Sequence, residues 1–426
     1  MLQKINDLDA FCKKREGLLE NSDDESLFSL LQEIKKAIKS KGDEALIHYT
    51  QKFDGIKLTR QTLCVTKQEI KSAYETIDKQ HLEALKKAHQ QIATFHQEQK
   101  PKNWQKKQAN GSFYGNTFLP LDRVALYVPG GRNPYPSSVL MNAIPAQIAG
   151  VPEPIILTPP NTNGQIAASI LVAADLCGIT HIYKAGGAQA IFAAAYGCES
   201  IKKVDKITGP GNRYVTAAKQ NVYGIVDIDK PAGPSEVAVY CDNPQYAAYA
   251  AAECLAQMEH DLLASAVMIS TNSDCLEAIQ REFKLQLETC KRKDIILKAL
   301  HHSGVYLCNK ASDAIEALNR VASEHVVIML DNSAKLLKQL RHGASVFIGP
   351  HTPVASGDYF SGPNHVLPTN GAARYASPLG VMDFMKYRSE SHLSLETLQK
   401  QGPDIIKLAQ KEKLDAHANS VHIRLK

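Results

Sequence analysis

The spacing of apolar positions divides the chain into three stretches. Up to about residue 110 it is helical. Leu27, Leu30, Leu31, Ile34 and Ile38 recur at intervals of three and four, which lines one face of a helix. Ser22-x-x-Glu25 supplies a capping box for it and Gly42 a stop. Leu82, Leu85, Ala88, Ile92 and Phe95 mark a second amphipathic helix, whose Gln- and Lys-rich opposite face reads as solvated surface. From about 123, short β-rich runs take over: RVALYV, PIILT, HIYKA, DKIT, GIVDI, EVAVY, SAVMI, GVYLC, HVVIM and SVFIG. Helical segments rich in Ala and Leu separate most of them. This alternation predicts an α/β protein with doubly wound parallel sheets, and the number of strands favours two sheets over one. The stretch 380–426 returns to charged helical sequence, with Gly402-Pro403-Asp404 read as a helix start. It is too short for its own core and is expected to dock on the body or on a partner subunit.

Composition narrows the class. A chain of 426 residues has room for two or three domains. With 44% apolar and 22% charged residues it is an ordinary globular protein, not a disordered, collagen-like or coiled-coil one. The net charge of +5 is scattered, with no basic cluster interleaved with aromatics, so nucleic acid is not an expected partner. The nine cysteines form no CxxC pair and read as reduced cytosolic thiols. Charges interrupt the N-terminal apolar residues, unlike a signal peptide. No run approaches the ~20 apolar residues of a membrane span. The expectation is a soluble cytoplasmic protein with no membrane partner.

Three glycine turns follow predicted strands and precede predicted helices: Gly130-Gly131, Gly186-Gly187 and Gly209-Pro210-Gly211-Asn212. Parallel strands place such turns along one carboxyl edge, where ligands bind. Bare N–H groups there suit a phosphate or pyrophosphate, although glycine is equally the default residue of a tight turn. No GxGxxG occurs, so any nucleotide site is built differently from the usual fingerprint.

A second constellation centres on histidine. Gln257 and His260, three apart in AAECLAQMEHD, share a helix face, as cation ligands or as surface decoration. Asp358 lies in SGDYFSGPNHVLPT, a loop stiffened by glycine and proline. Glu412 and His417 point about 140° apart on a straight helix and meet only if the helix ends between them. Imidazole, carboxylate and amide donors without cysteine suit zinc with an open catalytic position. Glu324-His325 sets an acid beside a base at the start of a strand. That pair is either a general base with a water-activating partner or a polar joint on the edge away from the usual ligand side.

The longer stretches around these residues are KGDEALIHYTQKFDG, YVPGGRNPYPSSVLMNAIPAQIAGV, KAGGAQAI, ITGPGNRYVTAAK, DKPAGPSEVAV, LAQMEHD, ASEHV, SGDYFSGPNHVLPT and a terminal E-x-L-x-A-H. Together and in this order they resemble histidinol dehydrogenase along nearly the whole chain. The resemblance implies oxidation of L-histidinol to L-histidine through bound L-histidinaldehyde, the last step of histidine biosynthesis. It implies one Zn2+ per subunit and two NAD used per turnover. It implies two incomplete Rossmann-like domains in a homodimer with shared active sites: a helical arm (1–24), a main domain (25–126 with 235–379), an inserted NAD-binding domain (127–234) and an exchanged tail (380–426). By position, Gln257, His260, Asp358 and His417 match zinc ligands, and Glu324 and His325 match the catalytic pair. Ser235, His365 and Glu412, together with His325 and the four ligands, match substrate-contacting positions. Tyr127, Gln189 and Asn212 match the NAD site. Departures are few: Ser323 stands where proline is common, Asn133 where alanine is frequent, and Cys254 and Met258 differ at offsets that need not face the metal. A relative acting on another amino or hydroxy alcohol is the alternative.

Overall fold

The structure, a computed structural model, describes residues 2–20, 25–130, 134–230 and 233–426. Ser22 of the expected capping box, Gly131 and Asn133 lie outside the described residues.

After β1 (Gln3–Lys4) and the helix Leu8–Glu20, the chain runs through helices as far as Gln97. In Glu25–Lys41 the residues Leu27, Leu31, Ile34 and Ile38 are buried as their spacing requires. Gly42 ends that helix at φ 51°, a backbone region glycine enters without penalty. In Lys79–Gln97 the last turn departs from expectation: Phe95 is 38% exposed and His96 is the buried residue. His96 goes inside because both ring nitrogens are satisfied there, by Gln99 at 2.8 Å and Asn364 at 3.2 Å.

Then come β2 (Trp104–Lys107) and β3 (Phe113–Pro120), followed by β4 (Arg123–Tyr127), β5 (Glu153–Thr158), β6 (Ile182–Lys184), β7 (Lys206–Thr208) and β8 (Asp227–Ile228). The last five form a parallel sheet in the order β6-β5-β4-β7-β8. One face, with Val124, Leu126 and Ile156, packs on Ile70, Leu85, Ile92 and Leu140. The other, with Ala125, Tyr127 and Leu157, packs on Leu31, Ile34, Leu46 and Phe192. The helices of 25–97, grouped above with 235–379, therefore cover both faces of this first sheet. Their apolar stripes complete layers that its own helices leave open.

A second parallel sheet is built from β9 (Glu236–Cys241), β10 (Ser265–Ser270), β11 (Gly304–Leu307), β12 (His325–Met329) and β13 (Ser345–Ile348), with β1 on its edge, in the order β1-β11-β10-β9-β12-β13. All ten strand-like runs of the sequence are strands, and they fall into two parallel sheets. Cys254 and Met258 point into the core of the second sheet.

Two expectations are overturned. First, β14 (Met385–His392) lies antiparallel to β3 over its full length, with β2 on the far side, where helix was read. β2 and most of β14 are exposed, so no alternation betrays them, and hydrogen-bonded pairing alone defines these strands. Second, the helix Leu395–Lys411 starts at Ser394, whose hydroxyl accepts from Thr397 N at 3.2 Å, and runs through Gly402-Pro403. Proline costs this helix one hydrogen bond without ending it. Gly402 makes room for the next helix and the residues after it, since a Cβ there would sit 3.3 Å from Val421 and 2.7 Å from Leu425. Lys413, at φ 60°, reverses the chain into Asp415–His422. Among the described residues, no helix is long and apolar enough to cross a membrane.

Candidate active site

The carboxyl edge of the first sheet collects the residues matched to NAD. Tyr127 ends β4 and its hydroxyl accepts from Gly187 N at 3.2 Å. Burial, reinforced by the nearby Asp54 charge, pushes the Tyr127 phenol up to about 12, so it stays protonated. Gln189, in the first turn of Gly187–Tyr196, is 1% exposed and neither amide atom has a partner among the described residues. A buried amide left in this state is costly unless a ligand or water completes it. Thr158, at the end of β5, also has a buried hydroxyl without partner. Gly209 packs directly on the Tyr127 carbonyl, and its own N–H donates to Asp229 at 2.7 Å while Lys219 donates to its carbonyl at 2.9 Å. Asn212 caps the helix Arg213–Val222, its side-chain oxygen accepting from Tyr214 N and Val215 N at 3.0 and 3.1 Å. Its side-chain oxygen is thus taken up by the cap, and it stands at the exposed rim of the same edge.

The second cluster stands on the amino edge of the second sheet. His325 opens β12, opposite Val237, and Ser235 precedes β9. The edge that ordinarily lacks ligands therefore carries the acid and the base. Ala322, at φ 50°, ends the helix Ala311–Val321 and turns the chain so that Glu324 and His325 point into the protein, both buried. Glu236 holds both through its main chain: its N–H donates to Glu324 Oε1 at 2.8 Å and its carbonyl accepts from His325 Nδ1 at 3.1 Å. A carbonyl can only accept, so His325 carries its proton on Nδ1 and Nε2 keeps a free lone pair. Burial above all, with His260 and His365 nearby, lowers the imidazole to about 4 and keeps it neutral. Its 3.5 Å approach to Glu324 is then not an ion pair at neutral pH. Burial and then repulsion from Glu236 raise Glu324 well above the usual carboxylate range, opposed by hydrogen bonds from Glu236 N and Ser235.

His365 completes the cluster. Its Nδ1 donates to the Asp358 carbonyl at 3.0 Å, and burial lowers the ring to about 4. Burial likewise raises Asp358 to about 6. Gln257 is buried in the last turn of Ala247–Met258, and His260 lies just beyond it, solvent-exposed at the surface of the cluster.

The donors fit zinc in kind. Asp358 offers a carboxylate and His260 an imidazole, neither engaged in a side-chain hydrogen bond or ion pair seen among the described residues, beside the Gln257 amide. Among the described residues no three His, Cys, Asp or Glu side chains gather as a metal site. Two remain on the tail: Glu412 and His417 are exposed, on opposite sides of the break between the last two helices, and no hydrogen bond or ion pair joins their side chains to the cluster. The sequence reading missed Glu236. Its signal was an acidic residue opening the otherwise apolar strand EVAVYC.

Residues 19–425 match the family model described as histidinol dehydrogenase. A histidinol dehydrogenase of Clostridium acetobutylicum is 47% identical over 390 residues, covering 91% of this chain and 90% of that protein. One from Syntrophotalea carbinolica is 44% identical over 403 residues, covering 94% and 93%. The crystal structure of histidinol dehydrogenase from Elizabethkingia anophelis superposes with a TM-score of 0.90 at 37% identity, covering 94% of this chain and 92% of that one.

Proposed function

The chain belongs to the histidinol dehydrogenase family, and from that premise we propose which of its residues carry the NAD-dependent oxidation of L-histidinol to L-histidine. Alcohol to carboxylate is a loss of four electrons. Each NAD accepts one hydride, so two are used in succession and an aldehyde stays bound between them. In the first step His325 Nε2 takes the hydroxyl proton as hydride leaves for NAD. In the second, after His325 has passed its first proton to solvent, Glu324 removes a proton from the water that adds to the aldehyde, His325 takes a proton from the hydrate, and a fresh NAD accepts the second hydride. The single observation that carries this assignment is the fixed tautomer of His325, with Nδ1 held by Glu236 O and Nε2 free. The raised pKa of Glu324 makes its carboxylate a stronger base than free glutamate.

Gln257, His260 and Asp358 would hold zinc, with His417 supplied by a second subunit. When bound, the ion would hold the imidazole and amino nitrogens of the substrate and fix the reacting carbon in place. Ser235, His365 and Glu412 would contact substrate, with Glu412 also acting across the dimer. Tyr127, Gln189 and Asn212 would line the NAD site. Support for a shared site comes from the tail, where Leu395, Leu408 and Ile423 are 62%, 67% and 55% exposed. Large apolar side chains left exposed along one helical hairpin offer surface for a partner to cover.

Purified protein with zinc and L-histidinol is expected to yield two NADH per substrate by absorbance. His260→Ala is expected to lose bound zinc and turnover together. A stoichiometry of one NADH, or a His260→Ala protein with full zinc and full activity, would overturn these assignments.

A further inference from the structure

We propose that Arg15, on the N-terminal helix, is a positioning residue for the catalytic pair and acts through Glu236. The inference rests on the reading of Glu324 and His325 as the reacting groups and adds a residue that no other part of that reading requires.

Arg15 and Glu236 form an ion pair in which the side chains are only 10% and 4% exposed. Glu236 Oε1 also accepts from Asn370 N at 3.1 Å, while Oε2 is buried without a partner among the described residues. The carboxylate thus depends on Arg15 for its charge balance. The same residue presents its peptide N–H to Glu324 at 2.8 Å and its carbonyl to His325 at 3.1 Å. Side chain and main chain of Glu236 therefore link the arm to both reacting groups within one residue.

The arm is held for this task at a second place. Asp9 pairs with Arg320, and Cys12 Sγ donates to the Arg320 carbonyl at 3.8 Å. Arg320 lies in the last turn of the helix that ends at Ala322, directly before Glu324. The N-terminal helix therefore grips both the residue that anchors the pair and the helix that delivers it.

Charge accounts for the consequence of losing Arg15. An unneutralised buried carboxylate is costly, and here a second one, Glu324, stands beside it. Glu236 must then turn outward toward solvent. Turning outward draws its N–H and carbonyl away from Glu324 and His325. Among the described residues, no hydrogen bond or ion pair joins Arg15 to the matched zinc, substrate or NAD residues, so the loss is expected to fall on the chemical step more than on binding.

Turnover, KM for L-histidinol and NAD, bound zinc and thermal melting would be measured for zinc-loaded Arg15→Met, Arg15→Lys, Glu236→Gln and the double variant Arg15→Met/Glu236→Gln, beside Glu324→Gln and His325→Asn. Arg15→Met is expected to lower kcat about 10- to 100-fold, as a small misplacement of reacting groups does, with both KM values and zinc unchanged. Arg15→Lys, which keeps the charge at a single-point contact, should stay within ~5-fold of the parent. Removing the facing charge should recover activity, so the double variant should exceed Arg15→Met. The proposal is overturned by a folded Arg15→Met with normal kcat, by a loss confined to KM, or by a double variant no better than Arg15→Met. If Arg15→Met does not fold, the proposal is overturned by a folded, zinc-loaded Arg15→Lys whose kcat falls by much more than ~5-fold, or by a double variant that also fails to fold. Normal turnover of Glu324→Gln and His325→Asn would instead overturn the reading of the pair, and this inference with it.

Discussion

Single residues carry the chemistry through their protonation. Glu324 is proposed to activate water only after the first hydride has gone. Glu324→Gln is therefore expected to slow aldehyde oxidation at least ~10-fold more than alcohol oxidation, about 1.4 kcal/mol of barrier. Single-turnover NADH formation from L-histidinol and from L-histidinaldehyde compares the two, and equal losses would remove this role. Asp54 makes a separate prediction. Burial raises it to about 6 and leaves Oδ2 without a partner. Its folded pKa lies above the unfolded value of ~3.9, so the native state binds the proton more tightly and stability falls as pH rises between these values. Asp54→Asn is expected to stabilise the protein at pH ~7 by on the order of 2 kcal/mol and not at all below pH ~4. Denaturant melts at the two pH values would show it, and a gain that did not depend on pH would exclude titration as the cause. At this scale Glu324 and His325 stood out in the sequence because they are adjacent. Glu236 did not, because it acts through main-chain atoms that every residue possesses.

Elements were legible where burial imposed a period. The ten apolar runs became strands because sheets covered on both faces demand continuous apolar residues. β2 and β14 escaped because solvent-facing strands need only backbone partners, and the partner of β14 is β3, far away in sequence. The helix through Pro403 escaped because Ser394 capped it earlier than the proline signal. Close approach between elements yields a prediction. A Cβ on Gly209 would sit 1.9 Å from the Tyr127 carbonyl oxygen at φ 110°, whereas Gly224, at φ 91°, faces open space. Gly224→Ala is expected to cost about 1–2 kcal/mol of backbone strain. Gly209→Ala must also force β4 and β7 apart and should cost more than about 4 kcal/mol, a size that signals a specific structural conflict. Equilibrium denaturation of the two would measure the difference, and similar values would show that the turn yields without disturbing the strands.

For the molecule as a whole, the tail decides the prediction. Its helices pack mainly on each other and leave Glu412 and His417 exposed. If a second subunit receives them, His325→Asn and His417→Ala proteins, each inactive, should regain activity when mixed under conditions of subunit exchange. One hybrid site then has both intact residues, and up to about half of the hybrid's sites can work under this symmetry. Activity that stayed at background after verified exchange would rule out a shared site.

The sequence by itself determined the class of fold, the two-sheet count and the identity of the polar groups, since these follow from periodicity and from residue chemistry. Tertiary structure decided which helices cover which sheet, that Glu324 and His325 sit on an amino edge, and that Arg15 and Glu236 meet 221 positions apart. The physical reason is that periodicity is a local property of the chain. Charge balance around a buried carboxylate depends on whatever the fold brings within hydrogen-bonding distance, however far away it lies in sequence.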